Sequence, residues 1–112
     1  MATATYKAAG NRVDYTASGS DTSAGEVVVL STMIGIATQL IEENDKGSLA
    51  IGGIFSMPKP TGTGGAINQG DAVYWDGTEV TEESSGTNYL GKCAAEAAES
   101  DSTVDVLINV NE

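Results

Sequence analysis

The sequence contains no histidine, and among its 112 residues it has one cysteine, two prolines and five basic residues. Without histidine, zinc, haem and non-haem iron sites lose their commonest ligand, and general acid–base catalysis loses its usual residue. Cys93 alone cannot form an internal disulfide, so the cysteine count does not imply an oxidising compartment. These absences argue against a metalloenzyme and against a disulfide-stabilised domain.

Positive charge and long apolar runs are also scarce. Sixteen acidic residues oppose the five basic ones, which gives a net charge of −11 at pH 7. A chain with this charge repels phosphate backbones and anionic lipid, so we expect neither a nucleic acid nor a membrane as partner. Apolar runs such as residues 27–30 are too short to span a bilayer, and the first seven residues lack the apolar region of a secretory signal.

The length and the apolar content are those of one small folded domain. A chain of this mass buries roughly 65% of its unfolded surface on folding, and a split chain would leave two pieces too small for a core. Hydrophobic residues make up 40% of the sequence, so the 14 glycines and the acidic charge do not indicate a disordered tail.

Alternating and β-branched segments separated by polar turns predict an all-β domain, a small barrel or sandwich of short, mostly antiparallel strands. Strands are predicted over residues 12–16, 26–30, 48–57, 71–75, 79–81 and 103–111. The second of these is typical of a strand covered on both faces, and the third is expected to be one continuous strand. We assign residues 1–11 to an extended N-terminal arm and 12–112 to the domain, and we find no internal repeat.

Two segments have apolar residues at helical spacing, residues 33–41 and the alanine-rich residues 92–99. We interpret both as strands, because Ile34, Ile36 and Thr38 are β-branched and both apolar faces suit a sheet. The composition of the second segment also fits a helix.

The last predicted strand has the clearest alternation, with Val104, Val106, Ile108 and Val110 expected inside and Asp105 and Asn109 outside. Tyr74 and Trp75 are adjacent, so they should face opposite ways, one in the core and the other exposed or at a subunit contact. The residues predicted to pack in the core or between subunits are Phe55, Val73, Tyr74, Trp75, Val104, Val106 and Ile108.

Three features resemble nucleotide-binding, metal-binding or catalytic motifs, but each lacks what that function requires. The glycine-rich residues 61–65 lack the Gly-Lys-Ser/Thr and the following helix of a phosphate loop, so we interpret 61–70 as a flexible surface loop. The acidic pairs at 42–43 and 82–83, and Asp101 with Asp105, lack the spacing of a calcium loop and are interpreted as solvated. Cys93 is expected to be a small buried hydrophobe. No nucleophile–base pair is present, so we predict no enzyme, no cofactor and no metal.

Six segments in order resemble a known family. They are residues 24–30 (AGEVVVL), 34–37 (IGIA), 46–59 (KGSLAIGGIFSMPK), 68–76 (NQGDAVYWD), 90–94 (LGKCA) and 104–108 (VDVLI). Together they are similar to the small β-rich head decoration proteins of tailed bacteriophages, also called capsid cement proteins. Members are often labelled recombinase-like, but the missing phosphate loop gives that label no support here.

The resemblance implies an accessory structural protein on the outer surface of an icosahedral shell, which it reinforces by bridging neighbouring major capsid protein subunits. Its partners would be the major capsid protein and further copies of itself, with a trimer favoured over a dimer. The charge agrees with this position, because the DNA inside a phage head would repel a chain at −11. Two alternatives stay open: a glycan- or receptor-binding module on the virion surface, and an assembly or accessory subunit unrelated to a virus.

The N-terminal arm is the one basic end of an acidic protein, since it contains Lys7 and no acidic residue and is followed by Arg12. We expect it to lie extended on the capsid and to add a strand to a neighbouring sheet, with Tyr6 as anchor. The predicted capsid-contact residues are Thr3, Thr5, Tyr6, Lys7 and Arg12.

Overall fold

The computed structural model describes residues 4–5 and 10–110. Within these ranges the chain forms strands and no helix, so the all-β prediction is confirmed and no helix there could cross a membrane. The strands are β1 (Arg12–Thr16), β2 (Val27–Leu30), β3 (Met33–Ala37), β4 (Lys46–Ala50), β5 (Ile54–Pro58), β6 (Ala72–Trp75), β7 (Val80–Thr81), β8 (Asn88–Ala95) and β9 (Thr103–Ile108).

The strands form two antiparallel sheets with the same connectivity. The first sheet has the order β1-β4-β3-β2 and the second the order β5-β9-β8-β6-β7. Without the edge strand β7, each half of the chain contributes four strands, and the sheet order in both halves is first, fourth, third, second. Strands β1, β2, β3 and β4 therefore correspond to β5, β6, β8 and β9. The described strands do not close into a barrel, so that alternative of the prediction is not realised.

A turn recurs four times and begins the equivalent strands β2, β4, β6 and β9. Each turn follows a residue of an isolated antiparallel bridge, and the two bridges are Thr22 with Ile41 and Ile67 with Ala97. Four positions after each bridge residue, the backbone N–H of an acidic residue donates to a carbonyl three residues earlier, at 2.9–3.1 Å. The four acidic residues are Glu26, Asp45, Asp71 and Asp101. The fold therefore contains an internal repeat that the sequence did not reveal.

The turn conformation explains part of the local sequence. The position before the acidic residue has a positive φ in three of the four turns, at Gly25 (88°), Asn44 (71°) and Gly70 (91°). Glycine and asparagine adopt this left-handed conformation at the least steric cost.

One core lies between the two sheets. Ile34 and Ile36 of the first sheet pack in it with buried residues of the second sheet, among them Val73, Leu90 and Val106. A second, smaller cluster comprises Ala17, Ala37, Ile41 and Leu49, and Val28 and Leu30 pack against it. The first sheet is therefore in contact with apolar residues on both faces.

Two strand predictions are wrong. Residues 48–57 do not form one strand, because the chain leaves β4 after Ala50 and turns at Gly52 and Gly53, where φ of Gly53 is 114°, before β5 enters the other sheet. Strand β2 is not covered on both faces along its length. It lies at the edge of its sheet, and Val29 is 39% exposed.

Strand β9 alternates as expected as far as Ile108, with Val104, Val106 and Ile108 buried and Asp105 exposed. The prediction for Asn109 is wrong, because this residue turns inward at a φ of 61° and is half-buried. Its amide nitrogen donates to the carbonyls of Ile34 (2.7 Å) and Ile51 (2.8 Å), and its amide oxygen accepts from the Ile34 N–H (2.9 Å). Asn109 therefore occupies the place beside β3 that β4 does not reach.

The glycine-rich loop at 61–70 lies at the surface, as predicted, with eight of its ten residues exposed, and two residues anchor it to the domain. Gly65 and Ile67 are buried, and Ile67 exchanges two backbone hydrogen bonds of 2.9 Å with Ala97. Added side-chain volume at Gly65 would meet the Pro60 carbonyl at 2.7 Å, which explains the glycine there.

Candidate functional site

Of the predicted contact residues, the structure describes Thr5 and Arg12. Thr3, Tyr6 and Lys7 lie outside the described residues, whereas Thr5 is exposed and belongs to no strand. Arg12 is the first residue of β1, so the arm leaves the domain directly beside it. The position of Arg12 is therefore the structural starting point for this site.

Arg12 lines a polar cleft of about 440 Å³ that we call the Arg12 cleft. It is formed by Arg12 together with residues 38–42 and 45–48. The Arg12 guanidinium donates through Nε to Ser48 Oγ (3.0 Å) and through Nη2 to Thr38 Oγ1 (2.8 Å). Through these bonds the guanidinium links Thr38, which follows β3, with Ser48 of β4.

Strand pairing brings a second cation to the same cleft. Because β1 pairs with β4 antiparallel, Asp14 lies opposite Ser48 and Thr16 opposite Lys46. Lys46 Nζ forms an ion pair with Asp14 Oδ2 at 3.3 Å, and both side chains are solvent-exposed. A solvent-exposed pair of this kind contributes about 0–1 kcal/mol to the stability of the fold.

The Arg12 cleft combines donors with an apolar contact. Leu40, which is 59% exposed, is part of its lining, and Glu42 and Asp45 add negative charge. Such a surface suits a protein segment that brings a carboxylate to Arg12 and an apolar side chain to Leu40.

The other described lysines are placed differently. Lys59 is 3% exposed, and its ammonium donates to the backbone carbonyls of Pro60 (2.7 Å), Asp101 (2.8 Å) and Ala98 (3.1 Å). Lys92 is half-buried in β8. Arg12 and Lys46 are therefore the described cations that stand at an exposed cleft.

The predicted packing residues divide into two groups. Val73, Val104, Val106 and Ile108 are buried, whereas Phe55, Tyr74 and Trp75 are half-buried. One of the adjacent residues Tyr74 and Trp75 packs against the core, as expected, and the place of the other at the surface or at a subunit contact stays a prediction. Trp75 packs against the core, and Tyr74 meets Tyr89 edge to face, with ring centroids 5.6 Å apart.

Phe55 and Trp75 also line a cleft of about 520 Å³ between the sheets, which we call the Trp75 cleft. Its other walls include Val27 of β2 and Met57 of β5. A smaller cleft of about 300 Å³, the Tyr89 cleft, lies at the other end of β2 and is lined by Val29 and Tyr89. Neither cleft could be predicted from the sequence, because both form where the two sheets pack against each other.

The model of the family described as phage cement protein matches residues 7–108 of the chain. The chain belongs to the phage cement protein family. The matched range begins at Lys7 and ends with β9, so it includes every described strand. No curated protein and no solved structure matches the chain.

Membership confirms the resemblance and indicates a structural virion protein associated with the capsid. Two residues of the family motif at 55–59 have clear structural roles. Phe55 lines the Trp75 cleft, and the Lys59 ammonium donates to three backbone carbonyls that belong to two different loops. Lys59 is the structural cation that sequence reasoning missed. Its position between Pro58 and Pro60 was the available signal.

Two further side chains, Cys93 and Glu82, have pKa values that their surroundings raise. Burial raises the pKa of the Cys93 thiol, whose Sγ donates to the Ala95 carbonyl at 3.0 Å. A hydrogen bond with Asp71 raises the pKa of Glu82, and burial adds to the effect. Among residues 4–5 and 10–110, no group of three or more acidic, cysteine or histidine side chains could hold a metal ion.

Proposed function

We propose that this protein binds the outer surface of an icosahedral phage capsid and stabilises the shell by bridging major capsid protein subunits. The observation that carries the proposal is the family match over residues 7–108. The net charge of −11 supports the outer face, because packaged DNA would repel the chain from the inner one. The role is structural and involves no catalysis.

The contact with the shell is made by the basic end of the molecule. The arm residues Thr3, Thr5, Tyr6 and Lys7 lie extended on the capsid, and the arm adds a strand to a neighbouring sheet. Arg12 and Lys46 support this end, because they line one exposed cleft directly beside the start of β1. A carboxylate of the capsid protein would complement Arg12, whereas the lining of the cleft as a whole is balanced, with Arg12 and Lys46 against Glu42 and Asp45.

Several copies acting together give a small domain enough affinity. Each contact is individually weak, but copies joined in an oligomer raise one another's effective concentration on the shell. A trimer at threefold and quasi-threefold positions fits this purpose, with a dimer at twofold positions as the alternative.

The test mixes the purified protein with heads that lack it and measures saturation by co-sedimentation, followed by the thermal stability of the decorated heads. The full chain should saturate the heads and raise the temperature at which they rupture. Deletion of residues 2–9, with an unchanged melting temperature, should raise the half-saturating concentration at least tenfold. Binding of the full chain that leaves head rupture unchanged would contradict the stabilising role.

A substitution isolates the cleft from the arm. Arg12→Gln should raise the half-saturating concentration about fivefold, which corresponds to roughly 1 kcal/mol of binding free energy. Lys92→Gln removes the same charge from β8, outside the Arg12 cleft, and serves as the matched control. Equal effects of the two substitutions would show that only net charge matters and that the Arg12 cleft does not touch the capsid.

A further inference from the structure

The two sheets present four edge strands, and three of them carry features that discourage pairing with another chain. Strand β1 has the charged residues Arg12 and Asp14, β5 ends in Pro58, and β7 has only two residues. Charges, proline and short length are the usual means by which edges avoid association. The fourth edge, β2, has the sequence VVVL, without charge, proline, glycine or bulge.

The backbone of β2 offers hydrogen bonds at two residues. The Ala37 N–H donates to the Glu26 carbonyl at 3.1 Å, so Glu26 directs its carbonyl toward β3. Because the direction alternates along an antiparallel strand, Val27 and Val29 direct their N–H and C=O groups away from β3. No described strand lies on that side. An added strand could therefore form up to four backbone hydrogen bonds with Val27 and Val29.

Clefts adjoin the same two residues. Val27 lines the Trp75 cleft and Val29 lines the Tyr89 cleft, and both residues are on the face of β2 that looks toward the second sheet. A strand added at this edge would direct alternate side chains toward the two clefts, which is the usual source of specificity in strand addition.

We infer that this edge receives residues 3–7 of a second copy of the chain. The inference takes from the proposed function the role of the arm as a strand donor and names its acceptor as β2 of the neighbouring copy. Residues 10–110 contain 15 of the 16 acidic residues and only 4 of the 5 basic ones, whereas the arm contains Lys7 and no acid. The arm is thus the segment of the chain whose charge complements the body.

The arm sequence also suits the geometry of the edge. Thr3, Thr5 and Lys7 alternate with Ala4 and Tyr6, so one face would present Tyr6 to a cleft while the other keeps Lys7 in solvent. In the single chain Ala4 and Thr5 are exposed and belong to no strand. Each copy would donate an arm and receive one, a head-to-tail contact that closes into a ring when the rotation between copies permits.

The experiment measures binding of a labelled peptide of residues 1–9 to the chain that lacks residues 2–9, by fluorescence anisotropy. We expect saturable binding that weakens with added salt, because Lys7 approaches an acidic body. A peptide that carries both Ala4→Pro and Thr5→Pro lacks a backbone donor toward β2 whichever way the added strand runs, so it should bind at least tenfold more weakly. Absence of saturable binding up to millimolar peptide would overturn the inference.

Proline substitutions on the acceptor localise the site. Val29→Pro removes an N–H that faces away from β3 and leaves the charge unchanged, so it should weaken peptide binding at least tenfold. Ile54→Pro is the matched control on edge β5, because the Ile108 N–H donates to the Gly53 carbonyl and the Ile54 N–H therefore faces away from β9. If Val29→Pro lowers the melting temperature, Val29→Glu with Ile54→Glu replaces the pair. Equal effects at both edges would refute the assignment to β2.

Head binding separates this inference from the proposed function. Peptide binding that depends on Val29, with no binding of the full chain to heads, would sustain the inference and refute the capsid role. Loss of head binding in Val29→Pro without any peptide binding would mean that a capsid strand occupies β2, and this outcome overturns the inference while leaving the capsid role intact.

Discussion

The lysine enclosed by three carbonyls permits a quantitative prediction. Lys59→Met keeps most of the buried stem and removes the ammonium, so three backbone carbonyls at 2.7–3.1 Å lose their donor. Each hydrogen bond to a charged group is worth roughly 1.5–3 kcal/mol, and the desolvation of the ammonium offsets several kcal/mol of the sum. We therefore expect a net loss of about 2–4 kcal/mol in the free energy of unfolding.

The assay is thermal and urea unfolding followed by circular dichroism. For a domain of this size the loss corresponds to a fall of roughly 10–20 °C in melting temperature. Lys46→Met, which removes an ammonium from an exposed ion pair, is the control and should change stability by less than about 1 kcal/mol. If Lys59→Met melts within about 2 °C of the parent, water replaces the ammonium without penalty and the reasoning is refuted.

Three further outcomes test the core, the inward amide and the acidic pair. Val106→Asp should lose about 3–5 kcal/mol because it places an unpaired carboxylate at a fully buried site, whereas Leu107→Asp, at a 36% exposed neighbour, should lose far less; equal melting curves for the two would show that the strand phase is wrong. Asn109→Ala should lose about 2–3 kcal/mol in urea unfolding, since three hydrogen bonds of 2.7–2.9 Å disappear, and a loss below about 0.5 kcal/mol would contradict its bridging role. Because the pKa of Glu82 is raised in the folded state, its favourable contribution to the free energy of unfolding is complete below its ordinary value of 4.5 and is lost as pH rises through the folded-state pKa. Glu82→Gln should therefore raise the melting temperature at pH 7 and leave it unchanged near pH 4. A difference in melting temperature that does not depend on pH would argue against the hydrogen bond with Asp71.

The strands could be predicted because each is short and its neighbours along the chain signal turns. The alternation of β9 and the β-branched residues of β3 report directly on which faces are buried, so strand type follows from local sequence. The prediction of one continuous strand over 48–57 is wrong because it used local alternation alone. Leu49, Ile51, Phe55 and Met57 keep one phase by coincidence across the turn at Gly53, and periodicity does not show that a chain has changed sheets.

The repeat and the cleft residues could not be predicted because they depend on contacts between distant segments. The four bridge residues are Thr22, Ile41, Ile67 and Ala97, which share a backbone role and burial but no single residue type. The alternation of β9 predicts that Asn109 points outward. It turns inward because its side chain bonds to backbone groups of Ile34 in β3, and the sequence does not show that these two segments are neighbours. Arg12 was predicted as a contact, but its cleft needs the pairing of β1 with β4.

The separate pairing of the two halves has a consequence for biosynthesis. Every strand pair of the first sheet lies between Arg12 and Ala50, and every pair of the second between Ile54 and Ile108. The first sheet can therefore pair while the second is still being translated, an interval of roughly 3–12 s at ordinary elongation rates. During that time Ile34 and Ile36 lack the sheet that covers them. Residues 12–50 contain six acidic residues against two basic ones, so we expect electrostatic repulsion between neighbouring nascent chains to oppose their association through these exposed isoleucines.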